Sequence, residues 1–308
     1  MKNLKIMTLA VLVWGVSSCT NRDEVFEREQ YKKVFALVSG SDNVLQKTHA
    51  FCELDTGYVV VSLGGTAETD RELVVSLAED PSLIEQYNKT NYDVDYRKYI
   101  PALARRHYEI DPYRVTVPAG EVAGRLPIKI RPGGLSPDSS YFIPLRVDSY
   151  SAYEVNPDKN FVLYSVRIKN WWATAGGAAY SVTMKIKEGA GAEYGIPGTK
   201  TVHPLSANQL RIFPGNETYE SDVVALYQSA IVLTVGEDDR VTITPYRYMQ
   251  VTQKDDPDYP NIFKEEDDSF KTYKTFLLRY DYTGADGTVI EVREELRLEY
   301  NAKTDKRF

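Results

Sequence analysis

The chain has 308 residues, more than a single domain of common size needs, and 43% of them are hydrophobic, which is enough to build packed cores. Its formal net charge is −7, and no run rich in lysine and arginine occurs. These properties argue against a basic surface that binds the phosphate backbone of a nucleic acid, so no nucleic-acid partner is predicted.

The first residues are organised like a bacterial export signal. Two lysines precede an apolar stretch at residues 6–16, which is too short to cross a bilayer as a stable helix. Small residues then stand directly before Cys19, a pattern that resembles the lipobox cut by the bacterial lipoprotein signal peptidase. We therefore expect residues 1–18 to be a signal peptide, Cys19 to carry the acyl chains, and residues 19–30 to be a lipidated tether. The alternative is an ordinary secretory signal that happens to end at a cysteine.

An acidic pair, Asp23 and Glu24, closely follows the lipidated cysteine. Such a pair resembles the surface-export signal of Bacteroidetes lipoproteins, which predicts an outer-membrane protein that faces the cell exterior. Once Cys19 is acylated only Cys52 remains, so no intrachain disulfide can form. Cys52 stands in a strand-like segment, and we expect it to be buried as a small apolar residue, with a reactive thiol as the alternative.

Residues 31–172 are predicted to form an immunoglobulin-like β-sandwich. Several runs alternate between apolar and polar residues and end at turn residues, as half-buried strands do. These runs cover residues 58–63, 72–77, 113–117, 126–130, 141–147 and 161–168. One helix interrupts them, because Asp80 can cap a helix and Pro81 suits its first turn. Many short strands at short intervals are typical of this sandwich.

Residues 173–308 are predicted to form a lipocalin-like antiparallel β-barrel, which makes the whole fold all-β. The strand pattern pauses near residues 171–177, where small residues cluster, and resumes in consecutive hairpins. The predicted strands cover residues 180–186, 209–213, 231–235, 240–244, 273–282 and 288–300. Apolar strand residues should fill the barrel interior, among them Val182, Met184, Ile186, Leu233 and Val235. A second sandwich would give the same pattern.

Both halves also resemble domains of lipoproteins from Bacteroidetes glycan-utilisation loci. In the first half the resemblance rests on Asp80-Pro81 with the residues that follow, and on residues 115–120 and 135–145. These segments resemble the immunoglobulin-like domain of unknown function family 1735. The second half, from about residue 176, is similar to the lipocalin-like domain of unknown function family 4361. The resemblance implies a non-catalytic role in glycan uptake, and it supplies no catalytic residues.

The sequence contains no motif of catalysis or cofactor binding. The three histidines, His49, His107 and His203, do not lie at metal-ligand spacing. No nucleophile elbow and no glycine-rich phosphate loop occurs. We therefore predict no catalytic residues, no metal and no cofactor. The acidic segment 255–268 lacks the spacing of a calcium loop and is predicted to be a solvated surface, with calcium binding as the alternative.

Aromatic residues are the compositional excess that points to a ligand. The chain has 23 tyrosines and three tryptophans. Aromatic faces stack on sugar rings, and tyrosine adds a hydroxyl group. Because loops on a rigid β-scaffold carry many binding residues, the predicted glycan contacts are Tyr246, Tyr248, Tyr259 and Trp172. We expect one of the adjacent Trp171 and Trp172 to be buried at the domain junction and the other to be exposed.

The leading hypothesis is an outer-membrane surface lipoprotein that is not an enzyme and binds polysaccharide or oligosaccharide. Its partners would be the glycan, the membrane through its lipid, and other outer-membrane uptake proteins. The contacts should come from loop aromatics on an open face of the C-terminal domain rather than from an enclosed pocket. A structural or adhesion module that binds another protein is the second hypothesis. A glycosidase is the third, because two carboxylates at a suitable separation suffice for that chemistry.

Overall fold

The structure, a computed structural model, describes residues 33–64, 69–305 and 307. Within these residues the chain is almost entirely β, as predicted. The predicted signal peptide, Cys19 and the tether at residues 19–30 lie outside the described residues. In the described part of the chain, no helix has the length and apolar character needed to cross a membrane.

In residues 33–64 and 69–169, ten strands form two sheets that pack face to face. The strands are β1 Val34–Leu37, β2 Val44–Ala50, β3 Asp55–Leu63, β4 Leu73–Glu79, β5 Tyr108–Glu109, β6 Arg114–Val117, β7 Ala123–Ile130, β8 Tyr141–Tyr150, β9 Glu154–Val155 and β10 Phe161–Lys169. The first sheet has the order β5-β7-β3-β1-β9, and the second has the order β2-β10-β8-β4-β6. Most neighbours are antiparallel, but β1 pairs with β9 and β2 pairs with β10 in parallel. This arrangement is the predicted sandwich.

The alternation of residues along the strands places the sandwich core. β7 alternates exposed and buried residues over its whole length, which points Leu126, Ile128 and Ile130 between the sheets. From the second sheet, Val75 and Val166 point into the same core. Burial of an apolar side chain of this size contributes about 1.5–3 kcal/mol. The facing rows of apolar residues therefore hold the two sheets together.

The predicted helix, α1 Ser82–Tyr92, packs on the outer face of the second sheet. The carboxylate of Asp80 accepts a hydrogen bond from the N–H of Ser82 at 3.1 Å, so the helix begins directly after Pro81. Leu83 lies in a small apolar cluster with Phe142 of β8. Three short 3₁₀ helices also occur, at Tyr96–Lys98, Arg105–His107 and Pro157–Lys159.

Nine strands after residue 177 form the third sheet. They are β11 Ala178–Glu188, β12 Tyr194–Pro204, β13 Gln209–Ile212, β14 Ile231–Val235, β15 Val241–Pro245, β16 Val251–Gln253, β17 Ile262–Asp267, β18 Thr272–Thr283 and β19 Val289–Tyr300, with the helix α2 Val223–Ser229 before β14. The order is β15-β14-β13-β12-β11-β19-β18, and both β16 and β17 pair with β18. A bridge between Arg240, just before β15, and Ile262 of β17 brings the two ends of this path together. The sheet therefore curls into a nearly closed barrel. This confirms the predicted lipocalin-like barrel and excludes the alternative of a second sandwich.

The barrel interior is packed with apolar side chains. All five residues that were assigned to it are buried, namely Val182, Met184, Ile186, Leu233 and Val235. Two charged residues, Lys200 and Glu294, are buried beside them. The sequence pattern did not indicate these two, because lysine and glutamate are almost never fully buried unless they are paired.

Polar contacts join the sandwich to the barrel. Arg211 in β13 is buried, and its guanidinium donates two hydrogen bonds of 2.7 and 2.8 Å to the carboxylate of Asp138 in the sandwich. Asn170 directly follows β10, and its side chain donates to the carbonyl group of Ser206, in the loop before β13, at 2.9 Å and to that of Gln209, the first residue of β13, at 3.0 Å. The predicted domain boundary at residue 172 falls in the connection between β10 and β11.

The prediction that Cys52 is buried in a strand is wrong. Cys52 lies in the bend between β2 and β3 and is exposed. Residues 51–53 leave the sheet at this point, so the period-two alternation that suggests burial no longer applies to them.

Candidate functional site

Two of the predicted aromatic residues meet in a cluster at one end of the barrel. Tyr246 and Tyr248 follow β15, and their rings lie 6.0 and 6.2 Å, between centroids, from the ring of Tyr227 on α2. The N–H of Tyr248 donates to the carbonyl of Tyr227 at 2.8 Å. The guanidinium of Arg247 lies 5.6 and 5.7 Å from the ring centroids of Tyr227 and Tyr246, which adds cation–π attraction. The helix α2 therefore fixes the segment that carries Tyr248.

Tyr248 is held with its ring in solvent. The residue is 74% exposed, although its backbone and ring both contact Tyr227. The ring forms one wall of a hollow of about 400 Å³, the first hollow, beside the turn between β18 and β19. The other lining residues are Glu217, Gln228, Ser229, Met249, Gln250, Thr283, Gly284 and Ala285. The first hollow thus combines an aromatic face with amide, hydroxyl and carboxylate groups.

A second hollow of about 200 Å³ is also lined by Glu217. Its aromatic residue is Tyr219, whose ring stacks on His203 at 4.6 Å and meets Phe213 edge-on at 5.6 Å. Tyr219 is 37% exposed, so this ring also borders solvent. The remaining lining residues are Val182, Met184, Gly198, Thr199, Lys200, Thr201, Phe213, Gly215, Asn216, Glu217 and Thr218.

Glu217 lines both hollows. One oxygen of its carboxylate accepts a hydrogen bond from the hydroxyl of Tyr282 at 3.4 Å. Burial, followed by the charge of Glu217, raises the pKa of Tyr282, so this phenol stays protonated and remains a donor. Glu217 itself is exposed, and its carboxylate can therefore accept further hydrogen bonds from a ligand.

A buried network fixes the loop at residues 213–219, which borders both hollows. The N–H of Gly215 donates to the hydroxyl of Tyr280 at 2.9 Å, and that hydroxyl donates to Glu294 at 2.8 Å. The ammonium group of Lys200 donates to the other oxygen of the same carboxylate. Burial, followed by the charge of Glu294, raises the pKa of Tyr280, which keeps the phenol protonated. The loop is therefore tied to the charged groups of the barrel interior.

Tyr259 lies apart from this cluster. It is in the loop between β16 and β17, where its N–H donates to Asp256 at 3.1 Å and Asp256 pairs with Arg293 at 2.7 Å. The bond to Arg293 also lowers the pKa of Asp256. Arg293 lies within β19, whereas the first hollow borders the turn that precedes β19. No ring contact links Tyr259 to Tyr246 or Tyr248 within the residues that the structure describes.

The prediction that one of the two adjacent tryptophans is exposed is wrong. Both are buried in the barrel core, Trp172 with 3% of its surface exposed. Their rings meet each other and Phe263 edge-on, at centroid distances of 5.7, 5.5 and 5.7 Å. Strand alternation does not separate them, because β10 ends at Lys169 and the chain turns at Asn170. Trp172 therefore offers no open face to a sugar.

The hollows offer hydrogen bonds and stacking to a ligand. Their charged lining residues are Glu217 and Lys200, and Lys200 is paired with Glu294. Over residues 33–64, 69–305 and 307, no group of three or more His, Cys, Asp or Glu residues could hold a metal ion. The arrangement therefore suits a polar organic ligand with an apolar face.

Sequence reasoning missed three residues of the site, Tyr219, Glu217 and Tyr227. The helix that carries Tyr227 could have been predicted, because Asp222 is a good N-cap residue. In the structure Asp222 accepts hydrogen bonds from two N–H groups in the first turn of α2. Tyr219 and Glu217 lie in a loop without regular structure. Nothing local in the sequence indicates that this loop packs against the barrel, because the contacts that fix it come from distant strands, among them His203 of β12 and Tyr280 of β18.

Each half of the chain matches a domain family of its own. A family model described as an N-terminal domain matches residues 30–154, and one described as a C-terminal domain matches residues 160–297. The chain is a two-domain protein. No curated protein matches its sequence.

Solved structures of similar fold come from Bacteroides. A multidomain protein including DUF1735 from Bacteroides ovatus has a TM-score of 0.62 and 16% identity, over 86% of this chain and 94% of its own. A protein of unknown function from Bacteroides ovatus has a TM-score of 0.63 and 16% identity, over 90% of this chain and 95% of its own. An auxiliary nutrient binding protein from Bacteroides thetaiotaomicron has a TM-score of 0.56 and 15% identity, over 85% of this chain and 94% of its own. At these identities the likeness establishes the fold alone.

Proposed function

We propose that this chain is a surface lipoprotein of a glycan-uptake system, and that it binds polysaccharide or oligosaccharide without catalysis. The lipobox-like sequence before Cys19 and the acidic pair after it support lipid anchoring and export to the cell surface. We also propose that the N-terminal domain belongs to domain of unknown function family 1735, which residues 115–120 and 135–145 resemble, and the C-terminal domain to family 4361. The name of one structural neighbour, an auxiliary nutrient binding protein, supports a binding role.

The observation that carries glycan binding is the exposed ring of Tyr248 over the first hollow. Leaving a large aromatic side chain in solvent forgoes about 1.5–3 kcal/mol of burial, yet Tyr227 holds this ring outward. A sugar ring has an apolar C–H face and a rim of hydroxyl groups, so it matches an aromatic face flanked by polar groups. Gln228, Gln250 and Glu217 supply amide donors and carboxylate acceptors around the ring.

The position of the first hollow suits an extended glycan. A polysaccharide cannot enter the barrel interior, where apolar side chains such as Leu233 and Val292 are buried. The first hollow instead lies beside the β18–β19 turn, where the exposed ring of Tyr248 can be reached from solvent.

Affinity gel electrophoresis with a panel of soluble polysaccharides tests the proposal. At least one polysaccharide should retard the wild-type protein. Tyr248→Ala should then weaken binding by about 1–3 kcal/mol, measured by isothermal titration calorimetry, because the stacking face is lost. Tyr259→Ala is the matched control, since Tyr259 is also a loop tyrosine but lies away from the hollow. It should bind like the wild type.

Three outcomes would contradict this assignment. Equal losses of affinity in Tyr248→Ala and Tyr259→Ala would remove the first hollow as the site. Absence of retardation on every polysaccharide, together with capture of a specific protein partner, would favour an adhesion module. Release of reducing sugar from the panel would favour a glycosidase.

A further inference from the structure

The two hollows are built alike. Each contains one tyrosine whose ring is supported by another ring, Tyr248 by Tyr227 and Tyr219 by His203. Glu217 borders both hollows. We propose that they are two subsites of one cleft, and that this cleft takes an uncharged oligosaccharide with one sugar unit on each tyrosine. The proposal rests on glycan binding at Tyr248 and adds a second contact residue and the class of glycan.

Tyr219 presents its ring in the geometry of a stacking contact. His203 covers one face at a centroid distance of 4.6 Å and an interplanar angle of 19°. Phe213 meets the ring edge-on at 5.6 Å. His203 covers one face and the residue remains 37% exposed, so a sugar would stack on the other face. Asn216 and Thr218 line the same hollow and can bond the hydroxyl groups of a sugar on that face.

Glu217 is placed to contact both sugar units. The bond from Tyr282 at 3.4 Å holds its carboxylate, and Glu217 lines both hollows. A carboxylate has two oxygens, each of which accepts more than one hydrogen bond, so hydroxyl groups of neighbouring sugar units can share it. The two subsites therefore have a common acceptor at the point where the glycosidic linkage would lie.

The charges of the cleft favour an uncharged glycan. Lys200 is the cation among the described residues that line the two hollows, and its ammonium group is paired with Glu294 inside the barrel. A uronate or a sulfate in the cleft would therefore lie near the carboxylate of Glu217 without an unpaired lining cation to offset the repulsion. A neutral sugar meets no such repulsion.

The cleft is formed before a ligand arrives. The bond from Gly215 to Tyr280 at 2.9 Å fixes the backbone two residues before Glu217. The ring contacts of Tyr219 and Tyr248 fix the two platforms. Little ordering of the protein is then required on binding, which favours affinity from a few contacts.

Calorimetry with oligosaccharides of defined length tests the cleft. The probes are oligomers of one to six units of glucan, mannan and xylan, with polygalacturonate and chondroitin sulfate as acidic polymers. A neutral oligomer of two or more units should bind at least about tenfold more tightly than its monosaccharide, and Tyr219→Ala should weaken it by about tenfold. Tyr219→Phe is the control for folding and should keep the affinity, because it retains the ring and its stack on His203.

Glu217→Gln tests the charge argument without disturbing the fold, because Glu217 is exposed. It should weaken binding of the neutral oligomer several-fold and reduce the discrimination against polygalacturonate. Loss of affinity in Tyr248→Ala but not in Tyr219→Ala would overturn the two-subsite cleft and leave glycan binding intact. Preferential binding of the acidic polymers by the wild type would overturn the uncharged class in the same way. Binding to none of the probes would overturn both proposals.

Discussion

At the scale of single residues, the barrel encloses a charged pair that its stability depends on. Glu294 is fully buried, with one oxygen bonded to Lys200 and the other to Tyr280. Removing one partner of a buried pair leaves the other charge uncompensated. We therefore expect Glu294→Gln to lower the free energy of unfolding by about 3–5 kcal/mol, measured by urea denaturation.

Glu299→Gln is the matched control for that experiment. Glu299 lies on the same strand, β19, and pairs with Lys271 at 2.7 Å, but both side chains are exposed. A pair of this kind contributes at most about 1 kcal/mol. Similar losses in the two variants would show that burial does not set the strength of the Lys200 pair.

His203, beneath the ring of Tyr219, makes stability depend on pH. Burial, followed by the charge of Arg211, lowers the pKa of His203 below its usual value of about 6.5. The unfolded chain then takes up this proton at a higher pH than the folded chain. The stabilisation is complete above about pH 6.5 and is lost as the pH falls through the lowered pKa of the folded state.

The midpoint of urea unfolding should therefore decrease between about pH 7 and pH 5, and His203→Phe should decrease less. Phenylalanine keeps a ring against Tyr219 but has no proton to gain. Since burial also lowers the pKa of His49, the readout is the difference in slope between the wild type and the variant. Identical slopes would contradict the role assigned to His203.

At the scale of structural elements, the loop at residues 213–219 depends on one glycine. Gly215 has a φ of 51°, and a Cβ atom there would lie 2.9 Å from the ring of Tyr282. Gly215→Ala should lower the free energy of unfolding by about 1–3 kcal/mol and weaken glycan binding, because the loop must shift. Gly120 has a φ of 88°, and an added Cβ atom there would meet open space. Gly120→Ala therefore measures only the conformational cost of a positive φ in a residue other than glycine. Thermal melts and calorimetry of both variants give the comparison, and equal effects on binding would contradict a special role for the loop.

The elements that could be predicted are those whose own residues specify them. β14 has the predicted bounds, Ile231–Val235, and β18 and β19 lie within one residue of theirs, because their side chains alternate or are apolar throughout. β12 was missed because Pro197 and its neighbouring glycines break the strand pattern. That part of β12 pairs with β11 on one side, whereas β13 pairs only with the far end of β12. An edge position tolerates proline, but the sequence does not reveal which strand will be an edge.

The residues of the candidate site could also be predicted only in part. Tyr248 was predictable as an aromatic residue in a turn-rich loop, and the structure leaves it exposed. Trp172 was predicted by the same reasoning and is buried, because the polar turn at Asn170 sends both tryptophans into the barrel. Tyr219 was not predictable, since its support comes from His203 in β12, a strand that the sequence pattern did not indicate.

At the scale of the whole molecule, the proposed lipid anchor is open to a direct experiment. Cys19→Ala should abolish lipidation and leave the protein soluble or uncleaved, because acyl transfer needs the thiol of that cysteine. Membrane fractionation and mass spectrometry of the intact protein measure the outcome, with Cys52→Ala as the control that keeps Cys19. Membrane retention of an unlipidated Cys19→Ala protein would contradict the anchor.

Asn170 determines how a mechanical pull would travel between the two domains. Its amide donates two hydrogen bonds of 2.9 and 3.0 Å, and its oxygen accepts two more, of 3.1 and 2.9 Å, immediately after β10. β10 lies inside its sheet, between β2 and β8. A force applied to the barrel therefore enters the sandwich along an interior strand, which can be drawn out only by breaking two hydrogen-bonded ladders together. Tension on the connection is therefore shared by the strands on both sides of β10, which are β2 and β8.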